Sequence, residues 1–154
     1  MEVILTHTNK ATCTKILLKI CILILLLYFY SLGLQKCIAL SSYRFWLNRV
    51  PVAKTFSDIL YIIIPVLQLL LAAMLLHKKT RMAALYYIII SQLAYVVLIG
   101  YIFYFTPYLV WPWHPFWTKA DWFEILLLTL STAWLAFVSL KLHMKLLKIE
   151  KRLF

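Results

Sequence analysis

The stretch Pro107-Tyr-Leu-Val-Trp-Pro-Trp-His-Pro-Phe-Trp-Thr-Lys-Ala-Asp-Trp122 separates two long apolar runs and holds three prolines and four tryptophans. Each proline ring removes an amide donor and clashes with the preceding helical turn, so no helix passes through this spacing. The apolar run before it must end, and the next must start afresh between Thr118 and Asp121. Trp and Tyr collect where hydrocarbon meets headgroups, because an apolar ring there carries one polar tip. The stretch predicts a short hairpin at a membrane surface, with the rest of the chain as the spans that hold it.

Composition agrees. The chain has 154 residues and is 65% hydrophobic, with a mean hydropathy of +0.91. So few polar residues cannot cover a globule in water. The formal net charge of +11 would suit nucleic acid, but the bases lie at the ends of apolar runs. There they meet lipid headgroups and set topology, so nucleic acid is not expected as a partner. Cys13, Cys21 and Cys37 form no C-x-x-C or C-x-C pair. That set reads as apolar filling and not as a disulfide framework or metal site.

Outward from the hairpin, four spans are expected at about 16–34, 59–76, 82–106 and 121–140, within one transmembrane domain covering 1–154. Lys10 and Lys15 precede the first apolar run as in a signal peptide, but the run is span-length and no cleavage pattern follows it. Gln35 to Ser57 mixes Lys36, Arg44, Arg49 and Lys54 with Tyr43, Phe45 and Trp46. It is expected to lie in the membrane interface, as the segment that connects helices 1 and 2. Ser57 or Asp58 can cap the second span, and Pro65 marks a kink within it. His77-Lys-Lys-Thr-Arg81 is a tight basic turn, and the tail 141–154 is basic and amphipathic. Short turns make consecutive spans antiparallel, so an all-α, up-down-up-down four-helix membrane bundle follows. With both termini inside, eleven bases lie on the inner side and five (Lys36, Arg44, Arg49, Lys54, Lys119) on the outer. This favours cytoplasmic termini.

His114 is the hairpin side chain that titrates near neutral pH. It reads as a proton relay, as a metal ligand needing a partner, or as an interfacial ring; no partner lies at ligand spacing, so no metal site is expected. With Trp111, Trp113, Trp117 and Trp122 it forms a candidate outer surface for a partner. Gln68 and Gln92 are costly in hydrocarbon unless hydrogen-bonded. Either they join helices or they line a cavity for a quinone or other apolar ligand. Counting about 1.5 Å per residue from the basic turn and from Lys141 puts Gln68, Gln92, Ser91, Ser131 and Thr132 at one depth. No nucleophile–base pair or phosphate loop is visible, so no catalytic residue is assigned.

Gly33-x-x-Lys36 closing span one, Tyr43, Phe45 and Leu47 after it, and Pro65-Val-Leu-Gln68 in span two resemble the DoxX-like membrane proteins, most nearly the methylamine-utilisation MauE type. The likeness extends over Ile16 to His143 in the order of spans. It implies a four-span fold and a place in periplasmic maturation of redox enzymes, or in thiol or quinone chemistry. Two positions depart from the family pattern. Gln68 stands where the family has an acid, and Trp111-Pro112-Trp113-His114 stands where many members carry a Cys-x-Cys-Gly-like element. The expectation is a non-catalytic accessory protein without a cofactor. It would act at the outer face of a bacterial inner membrane and meet lipid and another membrane or periplasmic protein. The alternative is a subunit of a thiol- or quinone-linked oxidoreductase.

Overall fold

The computed structural model describes residues 2–105 and 122–153, with side chains over 12–50, 53–101, 104 and 123–149. The aromatic hairpin, with Trp111, Trp113, His114, Trp117 and the Trp122 side chain, lies outside the described residues. Among the described residues the elements are α1 (Glu2–Ile38), α2 (Leu40–Leu47), α3 (Pro51–Lys54), α4 (Ser57–Leu76), α5 (Arg81–Phe105) and α6 (Trp122–Leu153). Four of them are long and apolar enough to cross a membrane: Thr12–Ile38, Ser57–Leu76, Arg81–Tyr101 and Phe123–Ile149. The chain is an all-α, four-span membrane bundle. α1 packs between α4 and α6, and α5 packs mainly on α6.

Each long helix buries a narrow stripe. On α1 it is Leu18, Ile22, Leu25, Phe29 and Leu32; on α5 it includes Leu85, Ile88, Gln92 and Ile99. Residues spaced alternately three and four apart stay on one side of a helix, which suits side-by-side packing at a shallow angle. The opposite faces carry exposed Leu23, Leu27, Ile63, Leu70, Ile90, Val97 and Leu130. A soluble protein does not expose apolar faces of that extent, whereas lipid chains cover them.

The basic turn closes α4. The Thr80 hydroxyl donates to the Met74 carbonyl at 2.9 Å, and Arg81 Nε donates to the Leu75 carbonyl at 3.0 Å. Carbonyls at a helix end lack partners of their own, and a cation there also suits the dipole. At the other end of α4 the cap differs from the sequence expectation. The N-cap is Phe56, with no side-chain cap bond. Ser57 lies one residue inside, and its hydroxyl donates to the Asn48 side chain and the Lys54 carbonyl. Asp58 is held by Arg44, whose Nε and Nη2 donate to Oδ1. These two side chains tie α4 to the preceding segment and so are not available to cap it.

That segment is amphipathic, and its apolar side fills one end of the bundle. Tyr43, Trp46, Leu47, Val50 and Ala53 are buried against Ile99 of α5 and Ile125 of α6. Phe45, Arg44 and Arg49 face outward, with the Arg49 guanidinium 4.3 Å from the Phe45 ring centre. α1 ends at Ile38 while α4 begins at Ser57, and α2 and α3 occupy the space beyond the end of α1.

Candidate functional site

Below α2, between α1, α4, α5 and α6, lies a cavity of about 180 Å³. Its apolar wall includes Phe29, Leu32, Ile64, Leu71 and Ile125; its polar groups are Tyr28, Lys36, Gln68, Ser91, Gln92, Tyr95 and Thr129. Lys36 extends the buried stripe of α1 by one more step and is only 2% exposed. Its Nζ donates to Gln68 Oε1 at 3.0 Å and lies 5.3 Å from the centre of the Tyr43 ring. Burial pushes the Tyr43 phenol well above its ordinary range, so the ring stays uncharged. Among the described residues no carboxylate meets Lys36; Asp58 is paired with Arg44 and Glu124 is exposed.

Two local features bring Lys36 and Gln68 together. Gly33, one turn before Lys36, presents no side chain to α4. A Cβ built there would stand 2.8 Å from Leu69 Cγ and 3.2 Å from the Pro65 carbonyl oxygen. Pro65 is buried inside α4. Glycine thus permits a close helix approach, as small residues do in membrane bundles, and the long Lys36 side chain crosses to α4 one turn further on.

Of the residues singled out from sequence, Gln68, Gln92 and Ser91 line this cavity. Gln92 is 6% exposed. The Ser91 hydroxyl donates to the Ile88 carbonyl of its own helix at 2.9 Å, which leaves its oxygen as an acceptor. Ser131 is exposed, its hydroxyl donating to the Leu128 carbonyl. Thr132 is buried and is not a lining residue; its hydroxyl is satisfied by the Leu128 and Thr129 carbonyls. The threonine at the cavity is Thr129, which donates to Ile125 at 2.7 Å.

Lys36, expected among the outer bases in contact with headgroups, is enclosed by protein. Residues 18, 22, 25, 29, 32 and 36 lie on a single face of α1, and their burial shows that this face packs while the equally apolar opposite face meets lipid. Nothing in the sequence marked Tyr28, Tyr95 or Thr129, since hydroxyl-bearing residues are ordinary in a span.

The arrangement can donate hydrogen bonds into an apolar hollow. Among the described residues no group of three His, Cys, Asp or Glu is placed to hold a metal. Cys21 is buried, Cys13 exposed and Cys37 half-buried, all as free thiols.

Fold and cavity together define a multi-pass helical-bundle membrane protein with a buried lysine at its polar centre. The family model for methylamine utilisation protein MauE matches residues 14–110, and the chain belongs to that family. No curated protein and no solved structure matches the chain.

Proposed function

We propose that this protein is a non-catalytic accessory subunit, of the DoxX-like class, in a bacterial inner-membrane system for methylamine utilisation. It holds a small apolar ligand and meets a membrane or periplasmic partner at the α2 end of the bundle. The Lys36–Gln68 hydrogen bond carries this reading. Proton relay needs a neighbour that can accept and release a proton, and an amide does neither near neutral pH. The pair therefore holds and orients. Membership of the methylamine utilisation protein MauE family supports the pathway.

Deletion in the native host should abolish growth on methylamine while sparing growth on ammonium. Wild type and a Cys13→Ser, Cys21→Ala, Cys37→Ser triple variant should restore growth equally. Unimpaired growth of the deletion strain would remove the methylamine assignment. Failure of the triple variant at normal membrane levels would instead support thiol chemistry.

A second reading, a membrane subunit of a quinone-linked oxidoreductase, draws on the cavity itself. A hollow of about 150 Å³ takes a benzene ring, and the volume here is about 180 Å³. Quinone retained in stoichiometric amount by the purified protein would favour it.

Both termini are cytoplasmic in this proposal, because the bases concentrate on their side. In the cysteine-free variant, Ser42→Cys on α2 should react with an impermeant maleimide on intact cells. Lys79→Cys in the α4–α5 turn should react only after the membrane is opened. The reverse pattern inverts the topology.

A further inference from the structure

We propose that the cavity binds an apolar molecule carrying a single negative charge, its anionic oxygen seated against Lys36 Nζ. The proposal deepens, and rests on, the reading of the protein as a ligand-holding subunit.

The ammonium is the reason. Lys36 is 2% exposed, and its two described contacts are the Gln68 carbonyl oxygen and the face of Tyr43. Burial opposes the charge, while both contacts suit an ammonium, through an oxygen acceptor and a ring quadrupole. Neither cancels the charge. An ammonium has three donors; one is used by Gln68 and one faces the ring, while Lys36 also lines the cavity. Among the described residues no carboxylate supplies a counter-ion to Lys36; a buried charge in that setting is costly, and a ligand that brings the counter-ion removes that cost on binding. The Gln68 and Gln92 amides line the same cavity and carry N–H donors suited to a second anionic oxygen.

Size and exit define the rest of the ligand. About 180 Å³ accommodates one ring or a short chain. Leu67, also a lining residue, is 46% exposed, which puts a lipid-facing residue in the cavity wall. A tail can leave by that side into the bilayer. The chemistry is that of a monocarboxylate on an apolar body, whether a free acid dissolved in the membrane or the end of a larger amphiphile.

The test uses full-length protein in nanodiscs of phosphatidylcholine, with empty discs as baseline. Two probes of one shape, 4-butylbenzoate and 4-butylbenzyl alcohol, are titrated by calorimetry; dodecanoate and a lysolipid bearing one negative charge then distinguish a free acid from a headgroup. Wild type should bind the benzoate at least about tenfold more tightly than the alcohol. Lys36→Met should weaken benzoate binding by on the order of 30-fold, as loss of one partner of a buried charge pair does, and leave the alcohol within about threefold. Gln68→Glu should do the same by a different route, because a carboxylate on α4 supplies the counter-ion from within. That variant keeps the size of the side chain, so it decides the matter even if Lys36→Met folds poorly. Equal or tighter binding of the alcohol or of menadione, no saturable binding of any probe, or an undiminished benzoate preference in Gln68→Glu would overturn the proposal. Growth on methylamine is read separately, so the accessory role and the anion site can fail independently.

Discussion

Gly33→Leu should keep α1 from seating on α4 and should remove most of the heat-resistant, folded protein from the membrane. A Cβ at this position already meets Leu69 Cγ at 2.8 Å and Cδ2 at 2.9 Å, and the Pro65 carbonyl oxygen at 3.2 Å. The Leu69 side chain can turn aside. The carbonyl is fixed in the backbone of α4 and cannot. Alanine therefore asks for a small shift, which its helix propensity gain of up to about 1 kcal/mol over glycine offsets in part. Leucine adds a branched side chain where no space exists. Overpacking of this kind costs about 1–3 kcal/mol or forces the helices apart. Separation at Gly33 also lengthens the 3.0 Å bond from Lys36 to Gln68 one turn away, leaving the lysine with the Tyr43 ring as its remaining described contact. Thermal aggregation of detergent-solubilised protein, followed by size-exclusion chromatography, provides the measurement. A Gly33→Leu protein as heat-resistant as wild type would show that α1 and α4 do not pack closely there.

The second large effect belongs to α2. Trp46 is 6% exposed among Tyr43, Leu47, Val50, Ile99 and Ile125, whereas its neighbour Phe45 is 60% exposed. Trp46→Ala should cost about 3–5 kcal/mol, the usual range for emptying a buried aromatic site. The loss should be local. α2 should loosen and become cleavable by trypsin at Arg44 and Arg49, while the long helices keep their helical content. Phe45→Ala removes a ring that fills no cavity and should change stability by less than about 0.5 kcal/mol. Equal protection from trypsin in Trp46→Ala and wild type would mean that α2 does not depend on this burial. The Arg44–Asp58 pair cannot compensate. Its partners are 51% and 72% exposed, and an ion pair in that setting contributes little.

Length and apolarity of the runs determined, from sequence alone, that four helices cross a membrane. Backbone groups in hydrocarbon must be satisfied within the segment, so a long apolar run has one outcome. Short turns then made the bundle antiparallel, and the order of Gly33-x-x-Lys36 and Pro65-x-x-Gln68 pointed to the family. Rotation of each helix about its own axis was much harder to read. In water the polar face of a helix shows which side is outside. In a bilayer both sides are apolar, and Leu25 in the core differs little in chemistry from Leu27 on the lipid face. Only the tertiary structure decided that Lys36 points inward to Gln68, that Thr129 lines the cavity and Ser131 does not, and that α2 packs Trp46 into the bundle. Gly33 sets the first of these. Its consequence depends on which residue of α4 lies opposite, and that pairing exists only once the two helices have met.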